Sequence, residues 1–164
     1  MKIYNSLYSE VINLLKSKTK YDVYVDMDGV ICEYKYGEGV KILNGETSVY
    51  SEKRPIQSVL KLIKKYYKRN NFFILTSCIH KQQINAKKVW IKKYMPFFNI
   101  DNVYCILSED FNKRIEYKVD FINQSLKDRK IYSILIEDTH EILKKSWENN
   151  RNQLLPVLVI NLIK

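Results

Sequence analysis

Five short runs of apolar, largely β-branched or aromatic residues recur along the chain, each parted from the next by a segment of helical period. They are YDVYV (21–25), FFIL (72–75), VYCIL (103–107), YSILI (132–136) and PVLVI (156–160). Runs this short and this apolar suit strands buried on both faces, and helices between them supply the crossovers that parallel strands need. The pattern predicts an α/β fold: a single Rossmann-like three-layer sandwich around a five-stranded parallel sheet. Residues 1–18 read as an N-terminal helix, with Tyr4, Leu7, Val11, Leu14 and Leu15 at helical spacing. Pro55 opens a second helix, as proline is tolerated in a first turn. Others are expected over 81–94, over 111–126 and after the fourth run. Trp90 and Trp147 fall on apolar helix faces and are expected in the core. The one insertion of note is 32–54, where three of the four glycines fall. It reads as a flap or reduced cap with turns near Gly37–Gly39 and Asn44–Gly45, of hairpin type. No repeat or second domain interrupts 1–164.

Several function classes drop out at once. No apolar run approaches the roughly 20 residues that span a bilayer, and the first 18 residues lack the features of a secretory signal. A cytoplasmic chain with no membrane partner is expected. Cys32, Cys78 and Cys105 are odd in number and widely spaced, so neither a disulfide framework nor a CxxC metal site is indicated. Lys and Arg number 28 against 18 Asp and Glu, a net charge of +10. Basic residues recur along the helices: Lys61, Lys64, Lys65, Lys68 and Arg69, then Lys87, Lys88, Lys92 and Lys93, then Lys144 and Lys145. They read either as solvated helix faces or as an electrostatic funnel for a phosphate-bearing substrate.

In a sheet of this kind ligands sit beyond the carboxyl ends of the strands, so the residues that follow each run carry the chemistry. After the first come Asp26 and Asp28, leading into Gly29. One carboxylate can attack phosphorus to form an acyl phosphate; a second can protonate the leaving oxygen and then activate water. After the second run come Thr76 and Ser77, a hydroxyl pair at a helix start suited to phosphate oxygens. After the third comes Lys113, placed to offset transition-state charge, with Lys118 as a rival further along the helix. After the fourth come Glu137 and Asp138, which with Asp26 offer hard oxygens to Mg²⁺. His80 and His140 read as polar helix starts. Tyr34, Tyr36 and Tyr50 of the flap are candidates to stack on a base.

In its motifs VYVDMDGV, FFILTS, a following lysine and LIED, the sequence resembles the haloacid dehalogenase-like (HAD) phosphohydrolases over about residues 21–160. Within them it looks most similar to the 5′(3′)-deoxyribonucleotidase group, through LTSCIHKQQINAKKVWIKKYMP and LIEDTHEILKKSW. The resemblance implies Asp26 as nucleophile, Asp28 as acid/base, and Thr76, Ser77 and Lys113 around the phosphate. It places Mg²⁺ on Asp26, Glu137, Asp138 and the Asp28 main-chain carbonyl. Cys78 stands where the nucleotidases commonly carry proline, and Glu137 replaces the first Asp of the usual pair. The expected function is a Mg²⁺-dependent phosphomonoesterase acting on nucleoside monophosphates. The alternatives are a phosphatase of 3′ or 5′ nucleic-acid ends, motivated by the short cap and the basic charge, and a catalytically silent domain that binds nucleic acid or a partner.

Overall fold

A computed structural model describes residues 2–127, 129 and 131–162. Its elements, in chain order, are α1 (Lys2–Lys16), β1 (Asp22–Val25), α2 (Glu38–Leu43), α3 (Ser48–Glu52), α4 (Gln57–Tyr66), β2 (Asn71–Cys78), α5 (Lys81–Tyr94), β3 (Val103–Leu107), α6 (Arg114–Lys127), β4 (Ser133–Glu137), α7 (His140–Asn149) and β5 (Leu154–Leu158). Single 3₁₀ turns precede β3 and α6 and follow β5.

All four strand pairings are parallel, in the order β3-β2-β1-β4-β5. The chain thus steps outward from β1 through β2 to β3, then returns across β1 to β4 and steps outward the other way. The alternation of the strand residues sorts the helices into two layers. Val23, Val25, Phe72, Ile74, Ile134 and Ile136 face α1, α4 and α5 through Val11, Leu15, Val59, Ile63, Trp90 and Ile91. Tyr24, Leu75, Leu135 and Leu154 face α6 and α7 through Val119, Ile122, Leu126, Ile142 and Leu143. Burial on both faces explains why the runs are apolar almost throughout, Asp22 and Ser133 apart, and show no alternation.

The expected three-layer sandwich is what forms, with differences in detail. The flap is helical: α2 and α3 occupy 38–52, tied back by a bridge from Cys32 to Pro55 rather than by a hairpin. β2 runs on through Thr76, Ser77 and Cys78, because β3 pairs with it that far. β5 begins at Leu154, earlier than expected, and Val159 turns into 3₁₀ geometry. Trp90 is in the core at 2% exposure, but Trp147 is 40% exposed, on a solvent-facing side of α7 where Arg151 covers its ring. The side chains of Tyr4 and Leu7, expected on the apolar face of the first helix, lie outside what is described. The three thiols are unbridged, Cys32 and Cys78 buried and Cys105 half-buried. Among the described residues, no helix is long and apolar enough to cross a membrane.

Candidate active site

β1 and β4 are neighbours whose onward connections leave in opposite directions, and the crevice between them is where a ligand is received in such sheets. Register makes the juxtaposition tight. Val25 is level with Ile136, and the Asp26 N–H donates to the Ile136 carbonyl at 2.9 Å, so Asp26 and Glu137 emerge side by side. Carboxylate oxygens of Asp26, Glu137 and Asp138 lie within 4.8 Å of one another. Gly29 closes the turn after β1 with φ 78°, a left-handed conformation that other residues resist. A Cβ at that position would overlap the Asp138 carboxylate. Gly29→Ala is therefore expected to displace Asp138 and to cost stability on the order of 1 kcal/mol; thermal melts of the variant beside the parent check it.

Lys118, not Lys113, reaches this cluster. Its ammonium is buried and donates to Asp26 Oδ1 and to Glu137 Oε2, both at 2.6 Å. Lys113 sits in the 3₁₀ turn before α6 and is exposed. The turn points it outward, whereas Lys118 lies one turn inside α6 on the stripe with Val119 and Ile122 that faces the sheet. Two N–H groups of Lys118 are thus engaged, and the third has no protein acceptor among the described residues. Glu137 is held on all sides: Oε1 accepts the N–H groups of Asp138 and Thr139 at the start of α7.

Asp28 belongs to a second ionic cluster. Lys87 from α5 donates to Asp28 Oδ2 at 2.6 Å, to Thr76 Oγ1 at 2.6 Å and to the Ser77 carbonyl at 2.7 Å, which uses all three of its N–H groups. Lys53, at the far end of the cap segment, pairs with Asp28 Oδ1 at 3.0 Å and with Glu38 of α2. Both lysines are buried. Lys87 had read as one more basic residue on a solvated helix. The signal that marks it out is phase: Gln83, Lys87, Trp90 and Ile91 form the buried stripe of α5. Lys53 carries no such mark in the sequence.

The two clusters set opposite charge states. Burial, then the Glu137 charge, push the Asp26 carboxyl up to about 7, against the pull of Lys118. Burial raises Glu137 as well, and loss of water around its carboxyl, then the Asp26 charge, raises Asp138. For Asp28 burial would also raise the carboxyl, but Lys87 and then Lys53 outweigh it and hold it at about 2. Asp28 is a firmly ionised carboxylate. The Asp26, Glu137 and Asp138 group is short of positive charge, and its hard oxygens fit a divalent cation such as Mg²⁺.

Asp26, Asp28, Lys87, Lys118, Glu137 and Asp138 line one cavity of about 300 Å³ with Thr76, Ser77, Ile42 and Ile142, and the exposed Tyr34, Leu43 and Phe111 stand at its mouth. The Arg114 guanidinium stacks on the Phe111 ring at 3.7 Å. Of the flap tyrosines, Tyr34 and Tyr50 reach the cavity wall, and Tyr36 is fully exposed and does not. His80 caps α5 and donates to the Leu43 carbonyl at 2.8 Å; His140 is exposed at the start of α7.

No family model matches the chain, and no curated protein matches it. Among solved structures, the chain is similar to the HAD domain of the effector protein Lem4 from Legionella pneumophila, with a TM-score of 0.52, 11% sequence identity and 85% of each chain covered. At that identity the likeness is one of fold: the chain has the fold of a HAD domain.

Proposed function

We propose that this chain is a Mg²⁺-dependent phosphomonoesterase in which Asp26 is the nucleophile, acting on small phosphate esters of the nucleoside monophosphate class, as the 5′(3′)-deoxyribonucleotidases do. The observation that carries the reading is the convergence of Asp26, Lys118, Glu137 and Asp138 at the switch between β1 and β4, beside the Thr76 and Ser77 hydroxyls. Asp26 Oδ1 is fixed by Lys118, which leaves Oδ2 to attack phosphorus in line with the departing oxygen. Lys118 also lies where charge grows on the equatorial phosphate oxygens. Thr76 accepts from Lys87 and so has its own hydroxyl proton to give a phosphate oxygen. A cation held by Asp26, Glu137, Asp138 and the Asp28 carbonyl would offset the charge that a phosphate dianion brings to this acidic site. Water then cleaves the aspartyl phosphate to regenerate Asp26. The mouth residues Tyr34, Leu43 and Phe111 offer apolar and aromatic surface to a base or other ring.

Asp28 takes the acid/base role in this scheme, and its two lysine partners set its limit. A carboxyl held at about 2 carries little proton at neutral pH, so leaving groups that depart unprotonated have the advantage. The test is phosphate release from a panel of nucleoside monophosphates and p-nitrophenyl phosphate, with Mg²⁺ and with EDTA. The expected result is release that EDTA abolishes, at least ~10-fold faster for the aryl ester than for any nucleotide. Release from the aryl ester alone would withdraw the nucleotide assignment; no release from any ester would overturn the enzyme.

A further inference from the structure

The positive charge of this chain is confined to one part of it. Residues 53–100 hold twelve Lys and Arg and no Asp or Glu at all; the other 116 residues hold sixteen basic and eighteen acidic side chains. A general lysine bias would raise lysine throughout and would not empty 48 consecutive residues of acid. Lys53 and Lys87 of this stretch are consumed by Asp28. The other ten are exposed or half-exposed, and none is in an ion pair among the described residues.

The fold gathers them. α4, β2 and α5 are consecutive, and α4 and α5 lie side by side in one layer because both make the same-handed step outward from β1. Lys61, Lys64, Lys65 and Lys68 recur at helical spacing along and just beyond α4, with Lys92 and Lys93 in the last turn of α5. Half-buried aromatic rings lie among them: Lys64 sits over Phe97 at 5.9 Å and Lys93 over Tyr94 at 4.9 Å. A groove of about 580 Å³ beside α5, lined by Gln82, Asn85, Val89, Trp90 and Lys93, opens next to this layer. The opposite layer, α6 and α7, mixes both signs: Glu116 and Asp120 among its basic residues, and Glu141 paired with Lys145.

We propose that the outer face of α4 and α5 binds the phosphate backbone of a nucleic acid strand. A row of unpaired cations without acids, interleaved with aromatic edges, is the chemistry that tracks such a backbone. An anionic membrane would also be attracted, but a membrane-binding face adds apolar side chains for insertion, and Val89 is the only large apolar side chain exposed on these two helices. The proposal needs no turnover and stands apart from the assignment of the catalytic site.

The experiment is fluorescence anisotropy of a labelled single-stranded 20-mer, as DNA and as RNA, titrated with the full chain in EDTA at 50 to 300 mM KCl. A variant with Lys61, Lys64, Lys65 and Lys68 all changed to Gln is compared with one changed at Lys127, Lys144 and Lys145 on the opposite layer; all seven side chains are exposed, and circular dichroism confirms folding. The expected result is salt-sensitive binding that the α4 variant weakens at least ~10-fold, with a salt slope shallower by about 3, while the second variant binds like the parent. No binding at 50 mM KCl overturns the proposal, as does equal loss in both variants. Sedimentation with phosphatidylserine-containing vesicles, without oligonucleotide binding, would assign the face to membranes instead.

Discussion

Asp26→Asn is expected to abolish phosphate release, by a factor of roughly 10³ or more, and at the same time to make the metal-free protein more stable above neutral pH. The first effect follows because an amide oxygen does not form the acyl phosphate. The second follows from what the carboxylate costs. Its folded value, about 7, lies above the ordinary 3.8, so its contribution is fully present below about pH 4 and is lost as the pH rises through 7. The whole shift corresponds to a few kcal/mol, on the order of 4. Glu137 and Asp138, also raised, act in the same direction, whereas Asp28, held at about 2, contributes stability above the ordinary carboxyl range and loses it only in stronger acid. Asn keeps an oxygen for Lys118 and removes a charge from the cluster. At roughly 2–4 °C per kcal/mol for a chain of this size, the thermal midpoint at pH 8 in EDTA rises by several degrees, and the difference from the parent shrinks toward pH 5. Melting curves across pH 5–8 check it. Residual turnover of more than about a hundredth, or a variant that melts lower than the parent at pH 8, would remove Asp26 from the role given to it.

Lys118→Met and Lys113→Met are expected to part widely. The first takes away the only cation that, among the described residues, touches Asp26 and Glu137, and leaves two buried carboxylates facing each other. Breaking a buried pair by removing one partner costs about 3–5 kcal/mol, and on the proposed function the phosphate would lose the lysine beside the nucleophile as well. Turnover should fall by roughly 10²-fold or more, and added Mg²⁺ should recover part of the lost melting temperature, since a divalent cation answers the same excess of negative charge. Lys113→Met, at an exposed turn, should change stability by no more than about 0.5 kcal/mol and turnover hardly at all. Matched kinetics and denaturation of the two variants decide it; a large loss from Lys113→Met would return the phosphate lysine to the helix start.

The pair of lysines shows where sequence reading reached and where it stopped. Strand ends were legible because a parallel sheet demands apolar runs, and the first polar residue after each run is then positioned by topology. That is how Asp26, Thr76, Glu137 and Asp138 stand out as candidates from strand position, before any resemblance is weighed, and the structure brings all four to one cavity. A helix start is less well marked. Residues 111–126 read as one helix, but Phe111–Lys113 is a 3₁₀ turn, and the change of winding there rotates Lys113 away and brings Lys118 inward. Lys87 was hidden by composition: among 28 basic residues a buried one differs only by its phase with Trp90 and Ile91. Lys53 lies in irregular chain, where no period applies, and its partner Glu38 is 15 residues away across two helices whose glycines had suggested a hairpin.

The cap segment is fastened at both ends. Gln83 and His80 of the α5 start hold the Ile42 and Leu43 carbonyls, Trp90 holds the Lys53 carbonyl, and Lys53 itself is locked between Glu38 and Asp28. Lifting the cap would strand the buried Lys53 and Glu38 and take from Asp28 one of its two cations, so the doorway is held at one width. On the proposed function, choice among phosphates is then expected to be a matter of caliper rather than of closure: a phosphate carried on a slender stalk should fit through, and one lying flush on a folded surface should not.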